Sequence, residues 1–77
     1  MRKQLAKETL RAIKEFKKEN NYSPSTRELM IALDLHSTSV CSYRINHLVL
    51  AGYLTKRFGI PRSLALTQKG KNLARRR

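Results

Sequence analysis

The chain has 77 residues, room for one domain around one modest core. A hydrophobic share of 40% argues against wholesale disorder, and the single cysteine, Cys41, excludes an internal disulfide and points to a cytosolic setting. Seventeen Lys and Arg against five Asp and Glu give a net charge of +12, which points to a polyanionic partner.

The charge is unevenly spread. All five acids (Glu8, Glu15, Glu19, Glu28, Asp34) fall in the first 34 residues, alongside eight bases. Residues 35–77 hold nine bases and no acid. No run approaches the ~18 apolar residues of a membrane span, and Met1-Arg2-Lys3 leads into a charged helix rather than a signal peptide, so no membrane partner is expected. One Cys and two His (His36, His47) do not make a zinc finger, so neither metal nor cofactor is expected.

In chain order, residues 3–20 read as a helix. Leu5, Thr9, Ala12, Ile13 and Phe16 repeat at a 3.6-residue period, with Leu10 flanking, and Asn20-Asn21 ends the run. Tyr22-Ser23-Pro24 is an extended connector with the potential to add a brief strand; Tyr22 is expected as a core plug rather than a base-stacking residue. A capping box, Ser25 with Glu28 three residues on, starts a helix over 26–34 whose buried face is Leu29, Met30 and Leu33, followed by Leu35. Arg27 in its first turn reads equally as a phosphate contact and as a solvated cation. Asp34 occupies a turn where Gly is usual, at a cost of roughly 1 kcal/mol.

Ser37 or Thr38 caps the next helix, 38–51. Cys41, Ile45 and Leu48 face inward, Val49 and Leu50 close the last turn against the sheet, and Gly52 stops it. Its outer face carries Ser39, Ser42, Tyr43 and Asn46, with Thr38 at the tip and Val40 placed for a thymine methyl or for packing. Short hydrogen-bonding side chains, where a solvated helix would show Lys and Glu, suit close approach to base edges. Strands at 53–58 and 63–67 flank a turn at Gly59-Ile60-Pro61-Arg62, giving a hairpin with a basic tip of Lys56, Arg57 and Arg62. Thr67 caps a short segment, 68–74, that returns Leu73 to the core, and residues 75–77 form a frayed basic tail. The fold class expected is mainly α with a small antiparallel β-hairpin, a three-helix winged helix-turn-helix in a single domain.

The stretch from Tyr22 to Leu54 resembles the DNA-binding domain of the LexA repressor family. The matching residues are Pro24-Ser25, Glu28-Leu29, Leu33, Leu35-His36-Ser37, the spacing of Ile45 and Leu48, and Gly52-Tyr53-Leu54; the layout agrees over roughly residues 5–67. The resemblance implies a third helix that enters the major groove, with base-reading positions on Ser37, Ser39, Val40, Ser42 and Tyr43. The family pattern has Gly at Asp34 and acidic residues at Ser42 and Tyr43, so its operator does not transfer. Its self-cleaving serine–lysine peptidase domain, which supplies dimerisation, is expected to be absent, and autoproteolysis with it.

Together these readings predict a non-enzymatic, sequence-specific regulator of transcription that binds double-stranded DNA. Base contacts would come from Ser37, Ser39, Val40, Ser42, Tyr43 and Asn46. Phosphate contacts would come from Arg27, Thr38, Lys56, Arg57 and Arg62, with Lys69 and Lys71 as further candidates. The setting would be the cytoplasm, at the nucleoid of a prokaryote or on the DNA of a virus or mobile element. Two copies on a palindromic site would extend its specificity, although no dimer stripe is present. The competing readings are a protein-interaction winged helix and a sequence-neutral nucleic-acid-binding protein.

Overall fold

The computed structural model describes residues 1–76. Along the chain run α1 (Lys3–Asn20), α2 (Thr26–Ala32), α3 (Thr38–Leu50), β1 (Leu54–Thr55), β2 (Ala65–Leu66) and α4 (Gln68–Arg75). This is a winged helix-turn-helix with a two-stranded antiparallel hairpin and a short closing helix. One core joins the elements. Leu10, Ile13, Leu29, Cys41, Ile45, Leu48 and Leu54 are all at most 1% exposed. Burying each Leu or Ile contributes about 1.5–3 kcal/mol.

The buried stripe of α1 lies one position round from the predicted one. Ala6, Thr9, Leu10 and Ile13 are buried, whereas Leu5, Ala12 and Phe16 are half-buried. Leu10 is therefore central, because α1 is covered by α4 as well as by α2 and α3. Thr9 tolerates burial by donating its hydroxyl to the Leu5 carbonyl (2.8 Å). Asn21 closes the helix at φ 63, as the Asn pair predicts.

The connector differs from expectation. Tyr22 is 46% exposed, set edge-on to Phe16, while Ser23 and Pro24 fill the buried positions. Ser23 Oγ donates to the Leu64 carbonyl (2.6 Å), so a side chain, rather than the brief strand the connector had the potential to add, meets the hairpin there.

The capping box at α2 is complete. Ser25 Oγ accepts from Glu28 N (3.1 Å), and Glu28 Oε1 accepts from Ser25 N (2.9 Å). The helix stops at Ala32, two residues short of the predicted end, because the chain turns through Leu33 and then Asp34 at φ 55. Asp34 N donates to Ile31 O (3.1 Å) and Leu35 N to Met30 O (2.9 Å), the paired bonds of a Schellman turn. The same turn ends α3, with Gly52 at φ 85: Gly52 N donates to Val49 O (3.1 Å) and Tyr53 N to Leu48 O (2.9 Å). Asp34 thus takes the conformation that Gly takes at the second turn. Ala51 caps α3 rather than ending it, and Leu50 is 89% exposed rather than closed against the sheet; only Val49 packs on the core.

The ladder is two residues per strand, against predicted strands of 53–58 and 63–67. Leu54 pairs with Leu66 and Thr55 with Ala65. Beyond Thr55 the ladder gives way to a side chain. Ser63 Oγ accepts from Arg57 N (3.0 Å) and lies 2.8 Å from Ile60 O, while Ile60 N donates to Arg57 O (3.2 Å). Pro61 has no N–H to offer, and Arg62 sits at φ 59, so the return strand cannot start earlier.

Thr67 Oγ1 accepts from Gly70 N (3.1 Å) and caps α4, which returns Leu73 and Ala74 to the core. A Cβ on Gly70 would lie 2.1 Å from the Tyr53 carbonyl oxygen, so only glycine lets α4 close on the base of the hairpin. The expected frayed tail is partly structured. Arg75 is the last residue of α4, and Arg11 donates to the Ala74 carbonyl (2.8 Å) and to the Arg76 carbonyl. Arg77 lies outside the described residues.

Candidate nucleic-acid interface

The orientation of α3 follows from its inward residues. Cys41, Ile45 and Leu48 lie at i, i+4 and i+7 and are buried against α2 and β1. Cys41 is inert in this setting: burial pushes its thiol pKa up, only partly opposed by the Arg44 charge, and Sγ donates to the Thr26 carbonyl (3.4 Å). Turned outward are Ser39, Tyr43 and Asn46, again at i, i+4 and i+7. Tyr43 is 64% exposed, with its ring 6.0 Å from that of His47. Ser42 sits at the border, half-buried.

At the start of α3, Thr38 is exposed and Val40 is 44% exposed. Ser37 is the N-cap and accepts from Val40 N (3.4 Å). Its hydroxyl hydrogen remains available for an outside acceptor. The polar outer face is therefore rigidly presented and not consumed by internal bonds. Arg44, half-buried one turn beyond Val40, is a further cation of α3 that the sequence does not single out.

The cations divide into groups. Arg27 of α2 and Lys56 of the wing are exposed and line one groove of about 450 Å³, so two residues far apart in sequence meet across it. Arg57 is exposed beside them in the chain. Arg62 is partly committed: Nη1 lies 2.5 Å from Glu28 Oε1 and 3.4 Å from Ser23 O, and its guanidinium stacks 4.6 Å from the centre of the Tyr22 ring. The wing is thus tied to α2 by an acid that is distant in sequence. Hydrogen bonding from Ser25 N, reinforced by Arg62, holds the Glu28 carboxyl below the usual carboxylate range, despite some desolvation.

Lys69 and Lys71 stand apart from that group. Lys69 Nζ donates to the Ala51 carbonyl at the end of α3 (2.8 Å) and sits 4.6 Å over the Tyr53 ring. Lys71 faces a different groove, between α1, β2 and α4. Sequence reasoning also passed over Phe58, which is fully exposed at the apex of the wing near Ile60, itself 50% exposed. The signal was present: an aromatic residue directly before the turn glycine, next to two cations.

A polar helix presented by two Schellman turns, with a basic hairpin after it, defines the class: a winged helix-turn-helix domain. The LexA DNA binding domain family matches residues 2–63, and the chain belongs to that family. It is 38% identical over 64 residues to the LexA repressor of Lactobacillus johnsonii, covering 83% of this chain and 31% of the relative. The LexA repressor of Leuconostoc mesenteroides subsp. mesenteroides is 41% identical over 59 residues, covering 77% of this chain and 28% of the relative. The chain thus spans under a third of the length of these relatives. Among the described residues, no helix is long and apolar enough to cross a membrane.

Proposed function

We propose that this chain is a sequence-specific regulator of transcription, of repressor type, that binds double-stranded DNA without catalysing a reaction. The carrying observation is the outward face of α3: Ser39, Tyr43 and Asn46 are exposed on a helix whose opposite face is fixed in the core. Those side chains, with Ser37, Val40 and Ser42 around them, read base edges in the major groove. Thr38 and Arg27 bind phosphates near the start of α3, and Lys56 and Arg57 do so from the wing. Arg62 orients the wing through Glu28 and contributes less charge to the backbone. Phe58 makes apolar contact in the minor groove.

The site of action is bacterial or viral DNA in the cytoplasm. Two copies on a palindrome would give one half-site per helical turn. Family membership supports DNA binding, and the acid-free second half supports an electrostatic contribution to it.

Selection of bound duplexes from a random pool tests this reading. A recovered motif, bound with a log–log salt slope of about −3.5 for some four phosphates per copy, is the expected result. Recovery of no motif would leave a sequence-neutral binder. A slope near zero would remove the electrostatic account.

A further inference from the structure

Lys71 leads to a second groove, of about 600 Å³, that the DNA-binding reading does not use. Lys14, Lys17 and Lys18 of α1 stand along one wall, and Lys71 and Arg75 of α4 along the other. All five are exposed, and among the described residues no carboxylate pairs with any of them. The floor is apolar: Ile13 from α1, with Leu64, Ala65 and Leu66 from the return strand. No lining residue comes from α2, α3 or the wing tip.

One side of this groove is an open strand edge. Thr67 N donates to Tyr53 O (3.1 Å), so the Leu54–Leu66 pair next to it is the non-hydrogen-bonded kind. Leu66 therefore turns its N–H and C=O away from β1. At Leu64, one alternation earlier, the connector covers this edge, with Ser23 Oγ bonded to the carbonyl. At Leu66, no hydrogen bond among the described residues satisfies the backbone pair. An unsatisfied strand edge accepts an added strand.

We propose that the groove between α1, β2 and α4 docks an acidic, extended segment of a partner protein. The segment's backbone pairs with Leu66, its carboxylates meet the five cations, and its alternate apolar side chains rest on the floor. A polypeptide fits better than a second duplex. DNA offers carboxylate-like charge but neither apolar side chains for the floor nor a backbone that pairs with a strand. This docking does not rest on DNA binding by α3, since no residue of α3 lines the groove.

The test is a titration of the isotope-labelled chain, followed by its amide signals. The probe is a peptide of alternating Glu and Leu; random-sequence duplex DNA is used in parallel. The expected result is that the peptide shifts Lys17, Leu66 and Lys71, and does so equally when the chain is saturated with duplex. Lys14→Glu with Lys17→Glu, both exposed, should weaken the peptide about tenfold or more while leaving duplex affinity within about threefold. Lys71→Glu should weaken the peptide in the same direction. Peptide shifts confined to α3 and the wing would overturn the proposal, since the peptide would then be imitating DNA. So would displacement of the peptide by duplex, duplex shifts centred on Leu66, or no peptide binding.

Discussion

Between Ser25 and Tyr53 the chain is held by backbone hydrogen bonds that close within five residues and by side chains buried beneath them. Between Lys56 and Ser63 the anchors among the described residues are one backbone bond, from Ile60 N to Arg57 O, and two side chains: half-buried Ser63 inside the loop, and exposed Arg62 reaching back to Glu28 and Tyr22. A reader of base edges must hold its side chains in fixed register, and the first kind of support does that. A backbone clamp must adapt to the groove it meets, and the second kind permits it. Under the proposed function, discrimination would therefore fall to α3 and adjustable affinity to the wing.

The largest effect that sharpens this contrast comes from the core of α3. Ile45→Ala should lower the stability of the whole domain by about 2–5 kcal/mol, read from denaturant unfolding, with backbone order lost everywhere at once. A loss confined to α3 would contradict the single core. Gly70→Ala comes next, at about 1–3 kcal/mol, because its Cβ meets the Tyr53 carbonyl and pushes α4 off the base of the hairpin. A neutral result would mean that α4 docks less closely than the structure shows.

Asp34→Gly should act in the other direction. At φ 55 the glycine relieves left-handed strain, for a gain of about 0.5–1 kcal/mol after its own entropy is counted. A loss would show that the Asp34 side chain stabilises the turn in some other way.

The smallest effect is on the wing anchor. Arg62→Ala should leave the unfolding midpoint nearly unchanged while raising amide exchange across residues 56–63. Acid should act in the same way. Glu28 has a lowered pKa in the folded state, so its contribution is complete above the ordinary carboxylate range. That contribution is lost as pH falls through the lowered value, loosening α2 and the wing together. If Arg62→Ala destabilised the domain as much as Ile45→Ala, the wing would be part of the core and the contrast would fail.

The same contrast explains what could be read from the sequence. The Ser25–Glu28 box, the Gly52 stop and the triad of Cys41, Ile45 and Leu48 are local patterns, set by bonds and faces spanning a few residues. They were legible for that reason. The Arg62–Glu28 pair spans 34 positions, and only folding brings it together. Tyr22 was placed in the core because it adjoins an apolar stripe, but the space is filled by Ser23 and Pro24, and the ring serves Arg62 instead. Leu10 became central through α4, an element 58 positions downstream at its start, and Lys69 was drawn to the end of α3 by the same helix. The strands were overestimated because a side-chain staple at Ser63 leaves no alternation signal of its own.

The central claim is that α3 reads sequence and the wing supplies affinity. It is tested most directly by measuring the ratio of affinities for a selected duplex and its scrambled counterpart in Tyr43→Ala and Arg57→Ala. The account predicts that Tyr43→Ala lowers the ratio about tenfold and leaves scrambled duplex bound as before. Arg57→Ala should weaken both duplexes alike and make the salt slope shallower by about one. The reverse outcome, with Arg57→Ala erasing the ratio and Tyr43→Ala leaving it intact, would contradict the account.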